Sequence, residues 1–448
     1  MTLLSWQWLL LIAINLILFL VSPWSNKAND FFKGSSNDKE PTLFLLTSSL
    51  VICWLFAKSI TNAADLGYQF GIVGGVAYSG YYLSFLVAGL VIYRMRTKGN
   101  FTSIHTFLLQ KYGKSAVALF TLLITFRLLN EIWSNTMIVG SYFGVQGSIG
   151  YYTAIVVFTV LTLAYTLKGG MRTSIVTDLV QMALFIVLIT LILGIIIPQT
   201  DGGVRTLVQS GQWQFSQGVN LLFVALIQVL SYPFHDPIMT DRGFITSPKV
   251  TRTSFLLATI IGGVSIILFS FVGVYAKLAG LATPVTLQVA KVMGTFMLLA
   301  MNTIMVTSAA ATIDSTFTST AKLVHIDLLQ GKNLSVPKAR WTMIILAVIG
   351  TLPVLFDPEI LSATTVSGTM VLGLAPVFLF WRMNAPKISY FLSVMIGIGT
   401  GFLFLFFPIP DYLLLTDGKY ADLLAVNLYG TVGCFIGFLT PILIQKRG

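Results

Sequence analysis

The stretch SAAATIDSTFTSTAKLVHIDLL, residues 308–329, gathers cation-binding groups in a segment long enough to cross a bilayer. Thr312, Ser315, Thr316 and Ser319 recur every three to four residues, so a helix presents them as one stripe. Small hydroxyl residues also serve as contacts between membrane helices. Packing does not account for Asp314, because a carboxylate held away from water needs a cation or a proton. The segment therefore reads as an ion or transport site. Lys322 and His325, near its end, are expected to reach for the headgroups.

The other ionisable residues in apolar surroundings are few: Lys58, Arg127, Glu131, Asp178, His235 and Asp236. Arg127 and Glu131 stand four apart and can pair on one helix face. In SYPFHDPIMTDRGF (231–244), Pro233 and Pro237 remove helix donors and clash with preceding carbonyls. A break at membrane depth is tolerated where the freed carbonyls line a cavity. CWLFAKSITNAADLG (53–67) is interrupted too, by a lysine and several polar residues. Two broken spans, five apart, point to a midplane binding site in an inverted-repeat transporter. Its candidate lining is Trp54, Lys58, Asn130, Tyr232, Phe234 and His235. Aromatic walls with a cation favour a carboxylate or an amino acid.

The elements that carry these groups follow from composition. The chain is 56% hydrophobic and 10% charged, against about 25% charged in soluble domains, so it is an integral membrane protein. Cys53 and Cys434 lie in apolar segments, which excludes a disulfide framework. Leu4–Val21 lacks the leading charges and cleavage site of a signal peptide and reads as a retained helix. Thirteen spans are expected: 4–22, 42–65, 70–93, 114–143, 151–167, 176–198, 219–240, 253–278, 291–328, 338–356, 359–381, 388–408 and 422–444. With the N-terminus outside, 20 of the 27 Lys and Arg fall on the cytoplasmic side and four outside. The positive-inside rule selects that orientation, with the C-terminus cytoplasmic, in the plasma (inner) membrane. The net charge of +11 is thereby explained by topology, and a nucleic-acid partner is not needed.

LAYTLKGGMRTSIVTDLVQMALF (163–185) resembles the sodium/solute symporter family through Tyr165, Gly169, Gly170, Thr177, Asp178 and Gln181. DFFKG (30–34), KGNFTSIHTFLLQKYG (98–113), DPIMTDRGF (236–244) and ATIDS with HID (311–315, 325–327) resemble further family motifs in the right order. The resemblance implies an all-α polytopic fold of the leucine-transporter type, with two inverted five-helix repeats at 42–198 and 219–381. An extra helix at 4–22 and two at 388–444 complete a single membrane transport domain over 1–448. It also implies a sodium site made of carbonyls at the first break, Ile52 and Leu55 in an ungapped register that also aligns Gly67, Tyr68 and Gly71 (Asn62 and Asp65 after a slip of about ten residues), with the Ser308 carbonyl, Ala311 and Thr312. A second sodium would use Asp178 beside Ser315. Two residues depart from the family pattern: Ala311 stands where a serine hydroxyl is usual, and Lys58 lies a turn past the expected break. Lys58 could pair with Asp314, hold a substrate carboxylate or replace a sodium charge.

The expected function is sodium-coupled symport of a small polar or carboxylated solute by alternating access. The partners are then the solute, sodium and the lipid bilayer, with no other cofactor and no obligatory protein partner. Asp314 and Asp236 are further functional candidates. A proton-coupled or sodium-independent transporter of the same fold, or a solute sensor that does not transport, stands as the alternative. Three histidines and no nucleophile or metal constellation argue against an enzyme.

Overall fold

The computed structural model describes residues 2–36, 39–332, 334–356 and 367–445. Helices dominate: α1 (Leu3–Val21), α2 (Ala28–Lys33), α3 (Leu43–Trp54), α4 (Ala57–Phe70), α5 (Ile72–Ser79), α6 (Leu83–Gly99), α7 (Ile104–Tyr112), α8 (Lys114–Ser141), α9 (Ile149–Gly169) and α10 (Met171–Ile196). They continue with α11 (Gly203–Val208), α12 (Val219–Gln228), α13 (Pro237–Arg242), α14 (Pro248–Leu278), α15 (Val285–Val292), α16 (Thr295–Lys322), α17 (Val336–Thr351), α18 (Leu374–Leu379), α19 (Lys387–Phe406) and α20 (Ala421–Gln445).

Among the described residues ten helices are long and apolar enough to cross a membrane, or eleven when α3 and α4 form one bent span. The expected count of thirteen is not reached. The apolar run at 219–240 yields only the ten-residue α12 before its backbone breaks. The run at 359–381 lies partly outside the described residues.

The chain forms two compact units, each assembled from separated stretches. One holds Met1–Gly75, Leu128–Gly211 and Val264–Pro358; the other holds Val76–Arg127, Gln212–Gly263 and Glu359–Gly448. Both expected repeats thus contribute to both units. In the first unit, α16 packs on α1, α3, α4, α9, α10, α15 and α17. Every residue from Ile304 to Lys322 is buried. A helix walled by protein on all sides does not need the lipid-compatible surface of its neighbours, which is why its sequence can be rich in hydroxyls.

Glycines set the closest approaches. A Cβ on Gly273 of α14 would lie 1.7 Å from the Ala64 carbonyl of α4. At the α9–α10 junction Gly170 adopts φ +59°, and a Cβ there would sit 2.6 Å from Phe31 O. Only glycine meets both demands, a left-handed backbone and close contact with a neighbouring segment.

Candidate functional site

α3 ends at Trp54, Leu55 leaves helical geometry (φ −80°, ψ 57°), and α4 starts at Ala57 with its axis turned by 58°. The break therefore falls in the ungapped register, next to Ile52 and Leu55. Asn62 and Asp65, ten residues on, lie inside regular α4. No proline or glycine marks this break. The Thr312 hydroxyl of α16 crosses to it, lying 3.3 Å from Cys53 O and 3.0 Å from Ser308 O. Three oxygens, Cys53 O, Ser308 O and Thr312 Oγ1, thus lie together between α3 and α16. Ala311 supplies no hydroxyl. The Ser308 hydroxyl is buried and has no hydrogen-bond partner among the described residues.

One turn further along α16 is an acidic cluster. Asp314 accepts hydrogen bonds from Ser174 Oγ at 2.7 Å, Tyr165 OH at 2.9 Å and Thr177 Oγ1 at 3.1 Å. Asp178 accepts one from Ser49 Oγ at 2.5 Å, with Cys53 Sγ at 3.5 Å. Ser315 joins the two acids: its hydroxyl is 2.8 Å from Ser174 Oγ and 3.0 Å from Cys53 Sγ. Ser174 and Asp178, four apart on α10, share a face, as do Ser49 and Cys53 on α3. Asp178, Asp314 and Ser315 are wholly buried. Gln181, also wholly buried, lies beside the Tyr165 hydroxyl. Chemically, this is a dry nest of carboxylate and hydroxyl oxygens, the donor set hard cations prefer.

Lys58, one residue into α4, is 1% exposed and meets Glu131 of α8 at 2.8 Å. It also donates to Asn130 Oδ1 at 3.0 Å and lies 5.1 Å from the Phe56 ring centre. Glu131 is further held by Asn135 Nδ2 at 3.1 Å. Lys58 thus pairs with Glu131, and Asp314 accepts hydrogen bonds from Tyr165, Ser174 and Thr177. Trp54 is buried beside Phe56, with ring centres 6.0 Å apart.

In the second unit α12 stops at Gln228, a short 3-10 turn spans Tyr232–His235, and Pro237 opens α13. The prolines foretold this break. Asp236 caps α13 by accepting from Met239 N at 3.2 Å. It also pairs with Arg127 at 3.0 Å, and the same guanidinium donates to Tyr232 OH at 2.7 Å. Arg127 and Glu131 thus each engage a residue from a distant segment, Asp236 and Lys58. His235 Nδ1 lies 2.5 Å from Tyr232 O. Phe234 is wholly buried and stacks on Phe378 with ring centres 4.3 Å apart, a packing role. Lys322 and His325 are buried, and His325 Nε2 is 3.0 Å from Thr342 Oγ1, so the histidine is tied to α17 instead of the headgroups.

Ser49, Cys53 and Ser174 as members of the cluster, and Glu131 as a partner of Lys58, were not expected from the sequence. The i, i+4 spacing of Ser174 before Asp178 was a usable signal. The Lys58–Glu131 pairing had none.

Residues 42–222 match the sodium:solute symporter family. No curated protein matches the chain. Among solved structures, a Na+-coupled sialic acid symporter in a substrate-bound, outward-open state has a TM-score of 0.74 at 17% identity, covering 99% of this chain and 98% of its own. Mhp1, a nucleobase-cation-symport-1 family transporter, in a closed conformation with bromovinylhydantoin bound, gives 0.58 at 11% identity, covering 92% and 96%. Its inward-facing form gives 0.56 at 11%, covering 94% and 96%. The fold is the leucine-transporter type in an all-α, multi-pass membrane protein, and residues 42–222 are similar to the sodium:solute symporter family.

Proposed function

We propose that the protein is a secondary active transporter that couples sodium to the uptake of a small polar or carboxylated solute by alternating access. The supporting observation is the oxygen cluster that ties the first helix break to α10 and α16, with Thr312 within 3.3 Å of Cys53 O and Ser315 between two buried aspartates. Sodium binds at the break, near the carbonyls of Ile52, Cys53, Leu55 and Ser308 and the Thr312 hydroxyl, in spite of the missing hydroxyl at Ala311. A second sodium binds among Asp178, Ser315 and Asp314. An ion held there fixes α3 against α16 and so favours one conformation of the break, which links ion and solute affinities reciprocally.

The solute binds at the first break, using Trp54, Lys58 and Asn130; Tyr232, Phe234 and His235 at the second break are further candidates. The chain sits in the plasma (inner) membrane with its N-terminus outside, acts as a single transport domain, and needs no cofactor besides sodium and no protein partner. It performs transport, not catalysis. The test is uptake into proteoliposomes with and without an imposed sodium gradient. Accumulation driven by the gradient is expected. Equal accumulation in both conditions defeats sodium coupling, and binding without counterflow of labelled solute makes the protein a sensor.

A further inference from the structure

Two motifs of the sequence, DFFKG (30–34) and the Gly169–Gly170 pair, supply nothing to the acidic cluster, yet the fold brings them together. A Cβ on Gly169 would lie 2.4 Å from Pro23 O, and one on Gly170 2.6 Å from Phe31 O. A Cβ on Gly34 would lie 2.4 Å from Ile175 Cδ1. α2 is thereby seated on the first turn of α10, and it also packs on α16. Phe31 and Phe32 are buried, and the Phe32 ring is 6.1 Å from His325, in the π-helical turn that follows α16. The cluster begins at once beneath this cover, because Ser174, the neighbour of Ile175, donates to Asp314. The cover is thin. Arg172, two residues before Ser174, has a side chain 23% exposed.

The fastenings of this segment are polar. Asp30 pairs with Arg172 at 3.3 Å and accepts from Ser35 Oγ at 2.9 Å, while Arg172 donates to Ser36 Oγ at 3.1 Å. Ser25 N donates to Lys168 O at 2.9 Å, and Thr173 Oγ1 to Pro23 O at 3.1 Å. Arg340 of α17 donates to Ser25 O and Asn26 Oδ1 and lies 5.0 Å from the Trp24 ring centre. Thr177, a donor to Asp314, also donates to Thr173 O at 3.0 Å, so fastening and cluster share one turn of α10. An ion pair with a partner at the surface contributes little, and groups freed from such hydrogen bonds exchange them for bonds to water. A six-residue helix tied in this way can leave α10 at small cost.

We propose that residues 23–36 are a latch over the cation's way out, and that parting Asp30 from Arg172 opens the Asp178–Asp314 cluster toward the face that α2 covers. This rests on the cation placed in that cluster under the proposed function and adds the route by which it leaves. In the orientation proposed there, that face is the cytoplasmic one.

Cys53 reports on the cluster, since its thiol is wholly buried and 3.0 Å from Ser315 Oγ. The test is its rate of labelling by a membrane-impermeant cationic methanethiosulfonate. The full chain, carrying Cys434→Ser, is reconstituted in vesicles of each orientation. Arg172→Asp sets two carboxylates against each other and should raise the rate about tenfold or more from the α2 face. From the opposite face the rate should stay within about twofold. Combining Asp30→Arg with Arg172→Asp should restore the parent rate, and sodium should slow labelling throughout. An unchanged rate in folded Arg172→Asp, or an equal rise from both faces, overturns the latch. Should that variant not fold, Arg172→Gln decides by the same comparison of faces. Sodium protection without a response to Arg172→Asp leaves the cation site standing and removes the latch. A response to Arg172→Asp without sodium protection upholds the latch over the cluster and removes its ion.

Discussion

Asp314→Asn changes one atom and removes one buried charge. In the fold Asp314 Oδ1 lies 3.2 Å from Ser315 Oγ. A cation held by that hydroxyl at about 2.4 Å is therefore within roughly 6 Å of the carboxylate. At an effective dielectric of about 20, a unit charge at ~6 Å contributes about 3 kcal/mol. Its loss should weaken sodium binding on the order of a hundredfold, since 1.4 kcal/mol is about tenfold. The assay is the rise in melting temperature of purified protein titrated with sodium at constant ionic strength, fitted for the half-saturating concentration. Asparagine also meets three hydroxyl donors (Ser174, Tyr165 and Thr177) with a neutral oxygen, so the ion-free protein should melt lower; the titration midpoint separates that effect from binding. Thr316→Ala is the control. Its hydroxyl is committed to Thr312 O at 2.8 Å within the helix, and its midpoint should stay within about twofold. A midpoint for Asp314→Asn within threefold of wild type would refute the placing of a cation beside this cluster.

Other outcomes follow from the packing and charge of the two units. Arg340→Ala should destabilise by about 2–4 kcal/mol in thermal melts, because Arg340 donates to Leu167 O at 2.7 Å, Asn26 Oδ1 at 3.0 Å and Ser25 O at 3.2 Å. Arg340→Lys should not restore it, since an ammonium lacks the planar fork. Gly273→Ala should abolish recovery of folded protein, as its Cβ would overlap the Ala64 carbonyl, whereas Gly194→Ala, with nothing within 4 Å, should be neutral or gain up to about 1 kcal/mol. Burial lowers the Lys111 ammonium to about 8, and it donates to Trp381 O. The unfolded chain then binds the extra proton between about pH 8 and the usual lysine value near 10.4, so this residue's contribution to stability should rise with pH across that window and be flat below it. Lys111→Met should erase that slope in pH-dependent melts.

Much of the architecture was legible because hydropathy and backbone chemistry are local. Pro233 and Pro237 announced the second break by removing donors, and the motif register put the first at Ile52–Leu55 although no proline or glycine stands there. The run at 219–240 is the broken one: α12 covers ten residues before the backbone turns ahead of Pro237. The acidic cluster was half visible. Thr312, Ser315, Asp314 and Asp178 were named from their own helices, but Ser49 and Cys53 enter only when α3 is laid on α10. The ion pairs were the hardest to foresee. Arg127 and Glu131 are spaced for each other, and tertiary packing also offers each a partner from another segment, which no periodicity in α8 records.

The burial of α16 also bears on how the protein is made. Asp314 and Lys322 each cost about 2.5–3.5 kcal/mol at a bilayer centre on insertion scales, and the hydroxyl stripe adds further cost. Such a segment is a poor candidate to enter lipid alone. Its stable state depends on α3, α9 and α10 already being there to receive its hydroxyls and acid. Lateral release of α16 during synthesis should therefore wait on the earlier helices. Substitutions at Ser49, Tyr165 or Ser174 should then lower the yield of inserted protein as well as its ion affinity, because the residues that cradle Asp314 and Asp178 in the finished fold also serve as the docking surface for a reluctant membrane helix.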